Sequence, residues 1–145
     1  MKLMRRKLHI YRTGHDVTET QLYFSYFDDT IKMENEYRVF VFNGNITGIS
    51  QYRWYRCHEN VDIQSLINMS NNIYMFIKNN VLTQLENGVN ITIDVMYDWE
   101  KSTVYLIEIN NFGGHTGCGS ALFHWKNDEH ILYSNGNCVE FRILI

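Results

Sequence analysis

Two segments in the second half of the chain alternate between apolar and polar residues in the way that predicts β-strands. In Ile91–Tyr97 and Thr103–Asn110, residues two positions apart tend to share apolar or polar character, as on strands with one buried face. The turn-like segment Asp98–Ser102 separates them, so we expect an antiparallel hairpin. With a period of two, one face of the second strand is expected to carry Val104, Leu106, Glu108 and Asn110.

A second hairpin is predicted upstream, where strands at Glu36–Phe42 and Ile46–Tyr52 flank Asn43-Gly44. Asn-Gly favours the tight two-residue hairpin turn because both residues tolerate positive φ. Further strands are predicted at Lys7–Arg12, at Gln21–Tyr26 and, after an Asn135-Gly136 turn, at Val139–Ile145.

The main helix is predicted over residues 61–86, between the two hairpins. Apolar residues recur there at helical spacing, at Ile63, Leu66, Ile67, Ile73, Tyr74, Ile77, Val81 and Leu85. Asn60 is the expected N-cap, and Asn87-Gly88 is the expected stop. The pattern as a whole predicts an α+β fold, with an antiparallel sheet and one main helix.

Acidic residues on the second hairpin are the first candidate for chemistry. A turn near residue 101 sets Asp94 opposite or diagonal to Glu108, and two facing carboxylates repel unless water, a proton or a cation separates them. Asn110 adds a neutral oxygen on the same face, and three such oxygens suit Mg²⁺. The alternative is a plain hairpin with a polar, water-facing side, which is the more common situation for exposed acids.

Arg38 is the second candidate, because it shares a strand face with Phe40 and Phe42. A buried cation needs an anion. Glu36, two residues away, is the simplest partner, and a nucleotide phosphate held by the planar guanidinium is the functional one. The pattern alone favours neither.

Charge and composition exclude several classes of protein. A formal net charge of −3 over 145 residues gives no strong case for nucleic acid, although residues 1–15 carry five cations and no acid. The sequence shows neither a transmembrane run nor an apolar signal core, and three cysteines, an odd number, favour a reducing compartment. We therefore expect a cytoplasmic protein. The absence of proline and the abundance of Asn and Ile suit an AT-rich genome, so a viral protein in host cytoplasm or virion is an alternative.

Cysteine and histidine residues offer two competing sites. Cys57, His58, His115 and Cys118 could be combined into a zinc site, but the two pairs lack a standard spacing. Cys118, in the glycine-rich segment Gly113–Ser120, could be a nucleophile served by His115 or His124. A lone cysteine in such a segment is more often inert, and glycine backbone there could instead approach a ligand closely.

Five segments in order resemble the cell division cycle protein 123 family of ATP-grasp proteins, from about residue 21 to the end. IDVMYD and VYLIEINNFG are similar to the family's FDVY and IDFNPFG strands, and GSALFHW is similar to the segment that ends in LLFTW. NEYRVFVFNGNITGISQY resembles its EFRCFV…AISQ hairpin, and VEFRILI its terminal EFRV strand. A wider set of small viral and bacterial ATP-grasp proteins fits as well. Here Glu108 stands for the usual Asp, and Asn111 for Pro.

The resemblance implies a carboxy-terminal ATP-grasp lobe over residues 21–145, preceded by a basic segment over residues 1–20. It implies ATP as ligand with Mg²⁺ as cofactor. The implied ATP-binding residues are Phe24, Arg38 and Gln51, with Leu22–Phe24 as the adenine hinge, and the implied metal ligands are Asp94, Glu108 and Asn110.

A function follows from the same resemblance. The family serves as an ATP-bound assembly chaperone for a translation initiation factor, whereas other ATP-grasp proteins are ligases. A full amino-terminal lobe with its phosphate-binding lysine is not recognisable in the sequence, so we expect a protein partner, which could supply that lobe. The alternative is a non-catalytic interaction or viral structural module with a degenerate ATP-grasp fold.

Overall fold

A computed structural model describes residues 32–58 and 61–145. The chain divides into two units, Met1–Ile31 and Lys32–Ile145, and only the second is described below. The predicted strands at Lys7–Arg12 and Gln21–Tyr26, the hinge residue Phe24 and the expected cap Asn60 lie outside the described residues.

The second unit is built on a five-stranded sheet with the order β4-β3-β1-β2-β5. The strands are β1 (Glu36–Phe42), β2 (Asn45–Gln51), β3 (Ile91–Asp98), β4 (Thr103–Asn111) and β5 (Glu140–Arg142). Both predicted hairpins are confirmed within one or two residues. The sheet is mixed, however, and not purely antiparallel as expected, because β5 runs parallel to β2. The segment between β4 and β5 passes over one face of the sheet, which returns the chain in the direction of β2.

The main helix is confirmed, with different ends. It comprises α1 (Ile63–Phe76), a π-helical turn at Ile77–Val81 and a 3-10 turn at Leu82–Gln84. Asp62 caps it by accepting a hydrogen bond from Ser65 N at 2.9 Å, while Ser65 Oγ donates to the same carboxylate at 2.6 Å. No helix among the described residues is long and apolar enough to cross a membrane.

The helix covers one face of the sheet and forms the larger core there. Inward-facing residues of the first three strands, including Tyr37, Val39, Ile49, Ile93 and Val95, pack in one cluster with Leu66, Met69 and Ile73 of α1. Removing these side chains from water is the main stabilising term of the unit. This face therefore carries the larger of two apolar clusters.

A β-bulge corrects the expected face of β4. Asp94 pairs with Glu108, but the next residue, Val95, pairs with Leu106, so the register shifts by one at this point. Opposed residues of an antiparallel pair point to the same side. Leu106 therefore lies on the helix-covered side, while Glu108 and Asn110 lie on the other. The extra residue of the bulge reverses the alternation, which strict period-two counting cannot foresee.

The face opposite the helix is covered by the segment between β4 and β5. Phe40, Phe112, Phe123 and Leu132 form a second buried cluster, with Trp125 packed against it. Phe123 lies edge-on to Phe40, with ring centroids 5.2 Å apart. A short helix, α2 (Glu129–Leu132), completes this layer. The aromatic cluster fixes the covering segment beside the polar part of the same face.

Candidate functional site

Arg38 and Asp94 form a buried ion pair at the centre of the polar face. They are opposite each other in the β1–β3 register, with exposed fractions of 4% and 0%. Arg38 Nε donates to Asp94 Oδ1, and Nη2 donates to Oδ2, both at 2.7 Å. Arg38 and Asp94 therefore lie on the same face of the sheet. The hydrogen-bonded partner of Arg38 is Asp94, however, and neither of the two anions expected from the sequence.

Glu108 and Asn110 lie beside this pair, as the hairpin predicted. Glu108 is opposite Asp94 on β4, and the two side chains point to the same side of the sheet. Asn110 Nδ2 donates to Asp94 Oδ2 at 3.1 Å and to Glu108 Oε1 at 3.2 Å. The amide thus bridges the two carboxylates and offsets part of their repulsion. Two carboxylates and one amide therefore converge at this point, with the amide nitrogen directed to the acids.

The glycine-rich segment closes over Arg38. Arg38 Nη1 donates to the carbonyl oxygen of Gly119 at 2.5 Å, so each of the three guanidinium nitrogens donates a hydrogen bond. Ser50, opposite Arg38 on β2, accepts a hydrogen bond from Leu122 N at 3.0 Å and ties the covering segment to the sheet. Gly113, where this segment begins, has φ of 105°, and a Cβ there would meet the His115 ring at 2.8 Å.

Two carboxyl groups on this face, Asp94 and Glu36, have raised pKa values. Burial raises the pKa of Asp94 above its ordinary value, and the charge of Glu108 adds to this, against the opposing effect of Arg38. Burial likewise raises the pKa of Glu36 to about 7, with Asp94 and Glu108 contributing. Burial alone would lower the pKa of Arg38, but its bonds to Asp94 raise it, so the guanidinium stays charged. Three carboxyl groups therefore share the field of one buried cation.

A cavity of about 520 Å³ opens beside Arg38 and Glu36. Its walls also include Tyr52, Arg53, Trp54, Tyr55 and Gly119–Ala121. The Arg38 guanidinium lies over the Tyr52 ring, 4.7 Å from its centroid, and Trp54 and Tyr55 are exposed. A volume of this size falls in the usual range of about 300–1,000 Å³ for small-molecule sites.

Gln51, another expected ATP-binding residue, is not brought to this group. Gln51 is opposite Tyr37 and lies on the helix-covered face, because its neighbour Ser50 takes the polar face. Its amide donates to the carbonyl oxygens of Arg53 and Arg56 and accepts from Leu144 N at 3.0 Å. These bonds give Gln51 a role in holding the end of β2 to the C-terminal segment. Phe24 lies outside the described residues.

The cysteine and histidine alternatives find no support in the geometry. In residues 32–58 and 61–145, no group of three or more His, Cys, Asp or Glu side chains could hold a metal ion, and this count leaves out the amide oxygen of Asn110. Cys118 Sγ lies 3.1 Å from Thr92 Oγ1, a hydroxyl that cannot remove a proton at neutral pH. His124 Nδ1 instead accepts hydrogen bonds from Lys126 N and Asn127 N.

Sequence reasoning missed three parts of the site: Ser50, Tyr52 and the Gly119 carbonyl. Ser50 could have been found from the hairpin register, since it is the cross-strand neighbour of Arg38. Tyr52 is the last residue of the predicted strand and lies two positions after Ser50, so alternation would have placed it on the same face, although the observed strand ends at Gln51. The approach of Gly119 depends on the path of the covering segment, for which the sequence pattern offers only its glycine content.

Comparisons with known proteins agree on one family and one fold. A family model described as D123 matches residues 13–145. Two solved structures from Schizosaccharomyces pombe are similar, each at 18% sequence identity. C-terminally truncated Cdc123 has a TM-score of 0.61, with 92% of this chain and 52% of that chain covered. Cdc123 has a TM-score of 0.57, with 93% and 50% covered. The chain thus spans about half the length of these structures. A search among curated proteins found no match.

Proposed function

The chain belongs to the D123 family, and from that premise we propose that it binds ATP together with Mg²⁺ on the polar face of its sheet. Asp94, Glu108 and Asn110 would hold the metal, and Arg38 would meet the phosphates. The observation that carries this proposal is the convergence of two carboxylates and an amide on adjacent strands, with distances of 3.1 and 3.2 Å from Asn110 to the two acids.

The donor set fits Mg²⁺ in its chemistry. This ion prefers oxygen ligands and is usually held by one or two carboxylates, with water and phosphate oxygens filling the other positions. The Asn110 amide offers an oxygen at its other end, which half a turn of the group brings to the carboxylates. When bound, the ion supplies positive charge that lets polyphosphate approach two acids.

The cavity gives the nucleotide a place next to Arg38, which is bonded to Asp94. It is lined by Arg38 and Glu36 and is bordered by the exposed rings of Trp54 and Tyr55. A guanidinium fork matches phosphate oxygens, and aromatic rings offer a surface for the base. An ATP-grasp lobe of this kind would hold the nucleotide against the sheet, with the phosphates directed towards Asp94.

We place this binding in an assembly-chaperone function, the one implied by the family, and not in ligation. The sequence offers no residue identifiable as a ligase catalyst, and the resemblance implies a protein partner. The exposed pair Trp54 and Tyr55, 62% and 59% accessible at the rim of the cavity, is a suitable place for such a partner to sense bound nucleotide. A cytoplasmic location belongs to the same proposal.

Calorimetric titration with ATP, in the presence and absence of Mg²⁺, tests the proposed binding. We expect binding that depends on Mg²⁺ in the wild type and a loss of at least tenfold in affinity for Glu108→Gln, which keeps the shape but removes one charge. Glu100→Gln is the matched control, since Glu100 is exposed in the turn at the other end of the hairpin. Absence of nucleotide binding in a folded wild-type protein, or equal loss in both variants, would reject the site.

A further inference from the structure

The two carboxylate oxygens of Asp94 are already occupied in this structure. Arg38 donates to Oδ1 through Nε and to Oδ2 through Nη2, both at 2.7 Å, and Asn110 donates to Oδ2 at 3.1 Å. Asp94 is fully buried, so water does not compete for these bonds. A divalent ion that binds Asp94 would compete with the guanidinium, because two cations on the same carboxylate repel each other.

The Arg38 guanidinium has an alternative binding position in the neighbouring cavity. Arg38 lines the cavity with Glu36 and Tyr52, and its guanidinium lies 4.7 Å from the centroid of the Tyr52 ring. A polyphosphate in that cavity offers several oxygens in the geometry of a guanidinium fork and carries more negative charge than Asp94. A metal ion alone offers Arg38 no such exchange, and it would leave the buried cation without an anion.

We propose that Arg38 is a gate that withholds Asp94 from free divalent cations until phosphate groups draw the guanidinium into the cavity. The gate rests on the proposed nucleotide function for its physiological opening, and it concerns the same site. It makes the metal and the phosphates bind together. Mg²⁺ is abundant wherever ATP is present, so a site without the gate would bind the metal alone. Occupation of the metal site would then not depend on nucleotide. A ligand shifts an equilibrium between two conformations only if it binds one of them more tightly. Phosphate meets this condition, because it would bind the guanidinium in the cavity and not the guanidinium held by Asp94.

The simpler role for Arg38 is that of a strut between β1 and β3. A strut and a gate both predict that loss of Arg38 lowers stability, because a buried carboxylate loses its partner. They differ in metal binding. Only the gate predicts that removal of the guanidinium raises affinity for a divalent ion in the absence of nucleotide.

Titration with Mn²⁺, followed by the electron paramagnetic resonance of the free ion, separates the two roles. Arg38→Met keeps the length of the side chain but removes the charge and donors, and we expect it to bind Mn²⁺ at least tenfold more tightly than the wild type. Arg56→Met is the matched control, since the exposed Arg56 does not line the cavity, and we expect wild-type binding. Adding Glu108→Gln to Arg38→Met should remove the gained affinity and thereby assign the metal to this site.

Equal Mn²⁺ affinity in the wild type and Arg38→Met, with both proteins folded by circular dichroism, would overturn the gate.

If Arg38→Met does not fold, Arg38→Lys replaces it. An ammonium cannot bond both carboxylate oxygens as a fork, so Arg38→Lys should bind Mn²⁺ more tightly than the wild type. Wild-type affinity in Arg38→Lys would reject the gate. Tighter Mn²⁺ binding by Arg38→Met, together with no nucleotide binding by the wild type, would support the gate and reject the nucleotide function. ATP binding that depends on Mg²⁺ and Glu108, with Mn²⁺ alone bound equally by wild type and variant, would do the reverse.

Discussion

Asp94 and Glu108 face each other across two strands but have different structural roles. Asp94 is fully buried and is held by Arg38 through two hydrogen bonds, whereas Glu108 is only half-buried. Removing the charge of Asp94 would leave a buried guanidinium without its anion, which typically costs about 3–5 kcal/mol. We therefore expect Asp94→Asn to lower the free energy of unfolding by about this amount in urea titrations.

Glu108→Gln is the contrasting variant in the same measurement. It relieves the repulsion between facing carboxylates, so the ligand-free protein should be as stable as the wild type or slightly more stable. A large loss of stability in Glu108→Gln would mean that this carboxylate satisfies internal donors, and the proposed metal site would then be untenable.

Glu36 makes stability depend on pH in a direction opposite to that of most acids. Its pKa is raised to about 7 from an ordinary 4.5, mainly by burial. The folded state keeps a proton that the unfolded chain releases, so this contribution is complete below about pH 4.5 and is lost as pH rises through 7. We expect Glu36→Gln to match the wild type near pH 5 and to exceed it by about 1–2 kcal/mol near pH 8, after allowance for solvent screening.

Chemical denaturation of both proteins at several pH values checks this, because other titrating groups cancel in the difference. A difference that stays constant with pH would place the Glu36 pKa in its usual range and would remove it from the electrostatics of the site.

At the scale of elements, β2 and the covering segment are fitted to each other at Gly48. A Cβ on this residue would lie 3.0 Å from Phe123 Cζ and 3.6 Å from Leu132 Cδ2. Phe123 cannot move freely, since Phe40 lies edge-on to one side and the Arg142 guanidinium is 4.1 Å from its ring centroid. Overpacking of this kind typically costs about 1–3 kcal/mol, and we expect that loss for Gly48→Ala in thermal or urea unfolding.

The double variant Gly48→Ala/Phe123→Leu tests the cause of that loss. The smaller side chain makes room for the added methyl group, so the two substitutions together should cost less than the sum of the single ones. Additive losses would show that Gly48 matters for its backbone and not for its contact with Phe123.

The elements themselves follow from the sequence better than their register does. Both hairpins and the helix are fixed by alternation, by Asn43-Gly44 and by the apolar stripe of α1, which are local properties. The bulge between Asp94 and Val95, which separates Leu106 from Glu108, is decided by packing across strands. The parallel pairing of β5 with β2 likewise depends on where the covering segment ends, and no local pattern encodes that.

The candidate site shows the same limit at the level of the whole molecule. Asp94, Glu108 and Asn110 could be grouped from one hairpin, because a turn links the two strands. The bond between Arg38 and Asp94 joins residues 56 positions apart, and it required the order of strands in the sheet. The same order removes Gln51 from the group, since neighbouring residues of β2 point to opposite faces. Long-range strand order is therefore the information that the sequence pattern lacked.

Both faces of the sheet contribute to stability, but only the polar face is proposed to bind ligand, and this difference can be measured. Ile73 is fully buried between α1 and the sheet, on the side away from Arg38, and Ile73→Val typically costs about 0.5–1.5 kcal/mol through a lost methylene. Ser50, whose hydroxyl accepts from Leu122 N at 3.0 Å, lies on the polar face next to Arg38. Ser50→Ala leaves that backbone donor without its partner, at a comparable cost of about 1–3 kcal/mol.

We expect Ile73→Val to leave the Kd for ATP with Mg²⁺ unchanged, measured by calorimetry well below the unfolding temperature. Ser50→Ala should raise that Kd several-fold, because the covering segment would lose its hydrogen bond to β2 next to Gly119, whose carbonyl oxygen accepts from Arg38. If two variants of similar stability weaken binding equally, affinity follows global stability and the polar face has no separate role; a change confined to Ser50→Ala assigns binding to the face that carries Arg38, Asp94 and the covering segment.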